Sequence, residues 1–186
     1  MNPTPVSLLE RLRRPDDRDA WERFVQLYTP LLYGWARRTG LNHDDAADLL
    51  QEVFTILVEQ MPTFRYEPGG SFRGWLRAVL TNRWRELRRR KQPVSAAPGA
   101  LEELPQPEGP DLPGEAEERA RLLARALALL EPEFEPATWQ AFRQTVLLGR
   151  PGAAVARELG LSPNAVYIAG SRVRKRLRQF LAGLLE

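Results

Sequence analysis

The chain has 186 residues, 43% of them hydrophobic, and no cysteine. That is long enough for one medium or two small domains and too apolar for wholesale disorder; it excludes a disulfide framework and a thiolate metal site. The net charge is only +3 although the pI is about 9.7, so the placement of charge matters more than its sum. Basic residues cluster at Arg83 to Lys91 and Arg172 to Arg178, and acidic ones at Asp44 to Glu59 and Glu102 to Glu118. Such segregation implies separate surfaces for separate partners. Met1 to Pro15 carries arginines but no apolar run of signal-peptide length. No stretch approaches the ~20 apolar residues of a membrane span, and a soluble, cytoplasmic protein with no membrane partner is expected.

In chain order, the first unit reads as four helices. A short one covers Val6 to Arg13, before the Pro15-Asp16-Asp17 break. The second runs from about Asp19 to Thr39 and stops at Gly40, with Trp21, Phe24, Val25, Tyr28, Leu31, Leu32 and Trp35 on one apolar face. The third starts near Asn42 to Asp44, a good N-cap followed by acids, and continues to about Gln60. A loop through Phe64, Arg65, Tyr66, Gly69 and Gly70 leads to Ser71, the cap of a fourth helix ending near Arg90. Gln92 to Gly114 is rich in proline and acids and lacks a helical period, the pattern of a tether. The second unit reads as helices over Glu115 to Leu130, Pro136 to Leu148, Gly152 to Leu159 and Pro163 to Leu184. Neither unit alternates as a strand would. The expected fold is all-α: a helical domain over 1–91, a flexible linker over 92–114 and a second small helical domain over 115–186.

The sharpest local pattern lies in Pro151 to Val166. A short helix turns inward Ala154, Val155 and Leu159, then meets a corner at Gly160-Leu161. Ser162 caps the next helix, and Pro163 sits in its first turn, where a missing N–H does no harm. This is the logic of a helix-turn-helix, whose second helix enters the major groove. In that helix Val166, Val173, Leu177 and Phe180 point inward. The opposite side lines up Asn164, Ile168, Ser171, Lys175 and Arg178, flanked by Tyr167, Arg172 and Arg174: base-reading groups first, phosphate-pairing cations after. Gly170 is a defect in helix propensity, marking either close packing or nothing at all.

Two faces of the first unit also stand out. On the third helix Asp45, Asp48, Glu52, Thr55 and Glu59 form an exposed acidic stripe edged by Gln51, with Leu49, Leu50, Val53, Phe54, Ile56 and Leu57 inward. Such a stripe suits solubility or a basic protein partner, and must face away from phosphate. On the fourth helix Arg77, Thr81, Trp84 and Arg88 form a stripe beside Asn82, Arg85 and Arg89, with Leu76, Val79, Leu80 and Leu87 inward. Arginines around an exposed aromatic suit phosphate contact and base stacking. The loop adds exposed Phe64, Arg65 and Tyr66; Phe72 and Trp75 read as core rather than contact.

The order "DDAADLLQEVF", "FRYEPGGSFRGWL", "NRWRELRRRK", a proline-rich tether and "AVARELGLSPNAVYIAGSRVRKRLRQFL" resembles the extracytoplasmic-function sigma factors of bacterial RNA polymerase, from about Asp19 to Leu181. The resemblance implies a second and a fourth sigma domain, with the tether in place of the third and threading towards the RNA exit path. It implies that Asp45, Asp48, Gln51 and Glu52 meet the clamp helices of the polymerase largest subunit. Phe64, Arg65, Tyr66, Arg77, Thr81, Asn82, Trp84 and Arg88 would recognise and open the promoter −10 element. Ser162, Asn164, Tyr167, Ile168, Ser171, Arg172, Arg174, Lys175 and Arg178 would serve the −35 element. Core RNA polymerase and promoter DNA are the implied partners and an anti-sigma factor a candidate one; no cofactor or metal is called for.

The sequence departs from many relatives at two places. Tyr66-Glu-Pro-Gly-Gly is longer and richer in glycine, and Tyr167-Ile-Ala-Gly170 stands where many carry Lys-Ser-Arg, so a −35 preference does not transfer. A stand-alone regulator using only the helix-turn-helix is the alternative; it would bind duplex DNA without polymerase and would need no acidic face. His43-Asp44-Asp45 superficially resembles a metal phosphohydrolase motif. His43 is the chain's single histidine, however, and these residues fit a helix start better than a metal site.

Overall fold

The computed structural model describes residues 7–65, 71–91 and 114–185, and among them every regular element is helical. The order is α1 (Leu8–Arg11), α2 (Arg18–Arg38), α3 (His43–Gln60), α4 (Phe72–Lys91), α5 (Glu115–Leu130), α6 (Pro136–Phe142), α7 (Gly152–Leu159) and α8 (Pro163–Leu181). Short 3₁₀ turns follow α3 and α5, and α6 runs on as a π-helical turn over Arg143–Leu147. That turn falls where the sequence suggests an unbroken helix to Leu148. The first helix is also shorter than its expected span. The tether expected over 92–114 lies outside the described residues, except for Gly114.

Local chemistry accounts for the helix ends. The Asp17 side chain accepts from the Ala20 amide at 3.1 Å, and Asn42 Oδ1 from the Asp45 amide at 2.8 Å. Each satisfies one of the donors that a helix start leaves open. Arg11 then ties α1 to the start of α2 through Asp17 (2.6 Å) and Asp19 (2.8 Å).

α2 is the spine of the first helical group. Phe24, Tyr28, Leu32 and Trp35 are buried along one side of it. Phe24 stacks on Tyr28 at 4.8 Å, and Phe72 from α4 meets both rings edge-on at 5.9 and 5.7 Å. Leu49, Leu50, Val53 and Leu57 of α3 and Leu76 and Leu80 of α4 close the same core. Val25, expected on the apolar face, stays exposed at the margin.

The two helical groups pack against each other in this arrangement. One continuous apolar cluster carries Leu122, Ala126 and Leu130 of α5, with Phe180, Leu181 and Leu184 at the far end of the chain, onto α2 and its neighbours. Buried Leu8, Leu9 and Leu12, in and just after α1, belong to it too, and α1 touches α8. Tyr28 donates its hydroxyl to the Leu184 carbonyl at 2.8 Å, and Arg125 Nε donates to the Gln26 carbonyl at 2.7 Å. Two smaller clusters hold the second group: Leu127, Trp139, Phe142 and Val173, and then Ala141, Val155, Ala156, Val166 and Ala169.

Gly170 is buried in α8, and a Cβ added there would meet Val146 at 3.6 Å, an ordinary contact. It marks close packing that has room for one more carbon. Gly170→Ala is therefore expected to stabilise the fold by about 0.5–1 kcal/mol through helix propensity. Thermal unfolding should show a rise of about 2–4 °C in Tm for each kcal/mol gained; a fall would mean that the packing is tighter than this contact implies.

Candidate nucleic-acid interface

The helix-turn-helix forms as its sequence dictates. Gly160 takes φ +65° after α7, the left-handed conformation that residues with a Cβ disfavour, and the Leu161 amide bonds back to the Ala156 carbonyl at 2.9 Å. Ser162 Oγ then accepts from the Ala165 amide at 3.1 Å to open α8. Val155 and Ala156 of α7 bury against Val166 and Ala169 of α8, with Leu161 packed into the corner. Small side chains on both helices permit that close approach.

All nine side chains expected to serve the −35 element, Ser162, Asn164, Tyr167, Ile168, Ser171, Arg172, Arg174, Lys175 and Arg178, are exposed on α8 or at its cap. Arg176, omitted from that set, points elsewhere. It donates to Glu133 at 2.7 and 3.0 Å and lies over the Phe180 ring. Glu133 is bonded by Arg23 of α2 as well, so one carboxylate joins both helical groups. Burial pushes that carboxyl up, but the bonds and charges of Arg176 and Arg23 outweigh burial and leave it below the ordinary glutamate value.

The side chains expected at the −10 element divide into two kinds. Arg65, Asn82 and Arg88 are exposed, and Thr81 is half-buried. Tyr66 lies outside the described residues. Phe64 is not exposed as expected: its ring sits 4.5 Å from Trp75 and 5.7 Å from Phe72, while its carbonyl accepts from Arg13 at 3.3 Å. Trp84, expected as an exposed aromatic, is not exposed either. It is only 6% exposed, packed in the core under α4, and the Arg88 guanidinium covers its ring at 5.2 Å. Its spacing from Leu76 and Leu80 puts it on the buried stripe of α4 rather than on the arginine stripe beside it.

Arg77 departs furthest from a waiting phosphate ligand. Its guanidinium lies 5.0 Å over the Trp35 ring and 3.4 Å from the Glu118 carboxylate. Glu118 comes from α5 and is fully buried. It accepts from Trp35 Nε1 at 2.7 Å and from Arg73, itself buried. Three donors from α2 and α4 thus converge on one α5 carboxylate, and at 3.4 Å the third is the weakest. The cluster was missed because Glu118 stands in a run of charges that reads as solvated. The signal was its four-residue register with Leu122, Ala126 and Leu130, the buried line of α5. Beside it a groove of about 360 Å³ over Leu27, Leu31 and Leu122, rimmed by Arg38, Arg121 and Arg125, leaves the α2–α5 seam incompletely filled.

The acidic stripe of α3 is partly engaged. Asp48 and Gln51 are exposed, whereas Asp45 is half-buried and accepts from Asn42 at 3.2 Å. Glu52, expected to be exposed, is half-buried and ion-paired with Arg83 of α4. His43 Nδ1 is 2.7 Å from the Tyr33 hydroxyl at the first residue of α3. Among the described residues no acid and histidine cluster could hold a metal, and no helix is long and apolar enough to cross a membrane.

Residues 24–94, which include α3, α4 and most of α2, match the family described as Sigma-70 region 2. The chain is 28% identical over 185 residues to the ECF RNA polymerase sigma factor SigE of Mycolicibacterium smegmatis, an alignment covering 97% of this chain and 68% of that protein. It is 29% identical over 182 residues to the RNA polymerase sigma factor NccH of Alcaligenes xylosoxydans xylosoxydans, covering 97% of this chain and 96% of that one. Both alignments extend through the helix-turn-helix, which the family match does not reach.

Glu118→Ala is expected to leave Arg73 buried without its partner and to weaken the docking of α5 by about 3–5 kcal/mol. Amide exchange along α5 should quicken, and fluorophores on cysteines introduced into α2 and α5 of this cysteine-free chain should separate. Unchanged exchange and distance would show that the apolar seam holds without the carboxylate.

Proposed function

Because the chain belongs to the extracytoplasmic-function sigma factors, we propose that it directs core RNA polymerase to promoters by reading two DNA elements with its two helical groups. The observation that carries this reading is the pairing, on one chain, of a Sigma-70 region 2 match with a helix-turn-helix whose α8 exposes base-reading groups followed by cations. A stand-alone regulator needs only the second of these. The first group, 1–91, is taken to hold the polymerase and the −10 element. The second, 115–186, is taken to hold the −35 element, with 92–114 as the tether. No chemical step is assigned to the chain: it supplies binding, and coupling two modules raises their joint affinity.

Asp48 and Gln51 lead the proposed contact with the clamp helices, because they are exposed where Asp45 and Glu52 are partly engaged within the protein. Arg65, Asn82 and Arg88 lead the proposed contact with the −10 strand. Arg77, held by Glu118 while α5 is docked on α2 and α4, the closed form, joins them more fully once α5 moves away. The closed form is accordingly assigned to the protein before it meets polymerase. An anti-sigma factor would have the same surfaces to cover.

Run-off transcription with core polymerase and a promoter library tests the reading directly. Specific initiation dependent on this chain is expected; core enzyme that ignores the protein even at low salt would sink it. Tight gel-shift of duplex promoter without polymerase would favour the stand-alone regulator instead.

Charge reversal by Asp48→Arg should weaken core binding at least tenfold, ~1.4 kcal/mol, in a pull-down titration, with unfolding unchanged. Arg88→Ala should leave both stability and core binding near wild type while slowing promoter opening, followed by permanganate reactivity of unpaired thymines. Trp84→Ala is a different case: loss of a buried ring should lower folding stability by about 3–5 kcal/mol in denaturant titration. A Trp84→Ala protein of native stability that fails only in opening would restore that ring to the DNA surface.

A further inference from the structure

We propose that α8 reads its upstream element through thymine methyl groups and adenine edges rather than through guanines. This rests on the reading of α8 as the recognition helix for that element.

The residues near the start of such a helix are the ones that meet base edges. In α8 the stretch from Pro163 to Ser171 carries no charge at all, and the first cation is Arg172. Nine residues of helix place Arg172 about 14 Å further along the axis than Pro163. Guanine in the major groove is most often read by a bidentate arginine or lysine on O6 and N7, and the reading end of α8 has neither. It offers Asn164, which is exposed, with Tyr167 at 70% exposure and Ile168 at 38%. An asparagine amide pairs with adenine N6 and N7, and an apolar side chain packs on the thymine C5 methyl.

The apolar character extends beyond one helix. Tyr167 and Val146, the latter from the π turn after α6, line one shallow groove of about 230 Å³. Val146 is itself 37% exposed. Large apolar side chains gathered outward around one groove on a basic surface fit an apolar partner. In a major groove the thymine methyl is that partner. Arg172, Lys175 and Arg178, all exposed, follow it along the helix and supply the charge complementarity to the flanking phosphates.

The test uses holoenzyme, assembled from core polymerase and the full chain, to select upstream elements from randomised duplexes. The selected element should be dominated by A·T pairs. Replacing its thymines by deoxyuridine removes only the methyl group. It should weaken holoenzyme binding about fourfold per contacted base, the worth of one buried methyl, whereas the same replacement in the spacer should have no effect. Tyr167→Ala and Ile168→Ala, both at exposed positions, should fold normally and bind the thymine and uracil duplexes alike. A selected element dominated by guanine, above all one that loses its preference with Arg174→Ala, would overturn the proposal. So would indifference to uracil by the wild-type protein on an element it does select. If no upstream element is enriched at all, the parent reading of α8 fails, and this one with it.

Discussion

A single buried carboxylate organises this molecule. Glu118 has no exposed surface, and an unpaired carboxylate in that position would carry a heavy desolvation penalty. The arrangement holds because Trp35, Arg73 and Arg77 all aim at it from α2 and α4. Those residues in turn depend on Glu118, since Arg73 is buried with it. The dependence is mutual, and it favours one register for the docking of α5. The apolar seam of Leu122, Ala126 and Leu130 supplies the adhesion that the ion cluster orients. The Tyr28 bond to Leu184 and the Glu133 bridge between Arg23 and Arg176 fasten the far end of the second group to the same helix.

This closure gives the candidate surfaces unequal status. The face of α8 stands fully outward, with every expected contact accessible. On α4, Arg88 and Asn82 are open while Arg77 is committed to a carboxylate of the other group. On α3, Asp48 and Gln51 are open while Glu52 is committed to Arg83. The commitments within the first group brace α3 against α4 and need not change for that group to work. The commitment of Arg77 crosses between groups, from α4 to Glu118 of α5.

Much of the helical framework was legible in the sequence because its ends are written in local chemistry. Asp17, Asn42 and Ser162 cap starts, and Gly40 and Gly160 accept left-handed conformations at stops. Caps and turns involve neighbours in the chain, so composition and spacing reveal them. The helix-turn-helix was legible for the same reason. The burial of Trp84 was also open to reading, since it continues the four-residue line of Leu76 and Leu80, but the arginines on either side of it in the sequence made the ring look like part of the exposed stripe. The ring cluster of Phe64, Phe72 and Trp75 likewise drew a residue expected to be exposed in an open loop against the edge of the core. The docking of α5 on α2 was least legible, because a charged residue at a buried register position looks like solvent-facing surface until its partners, far away in sequence, are known.

The place of Glu118 along its helix has a mechanical consequence. It stands one turn into α5, close behind Gly114, rather than in the middle of the seam. A pull on the chain ahead of Gly114 would therefore load the ionic contact first and the leucines after it, in sequence. Contacts loaded one by one yield at far lower force than contacts loaded together, as a zip yields where a glued joint does not. A seam strong enough to stand against thermal motion can thus be opened gently, provided that the tug comes from the correct end.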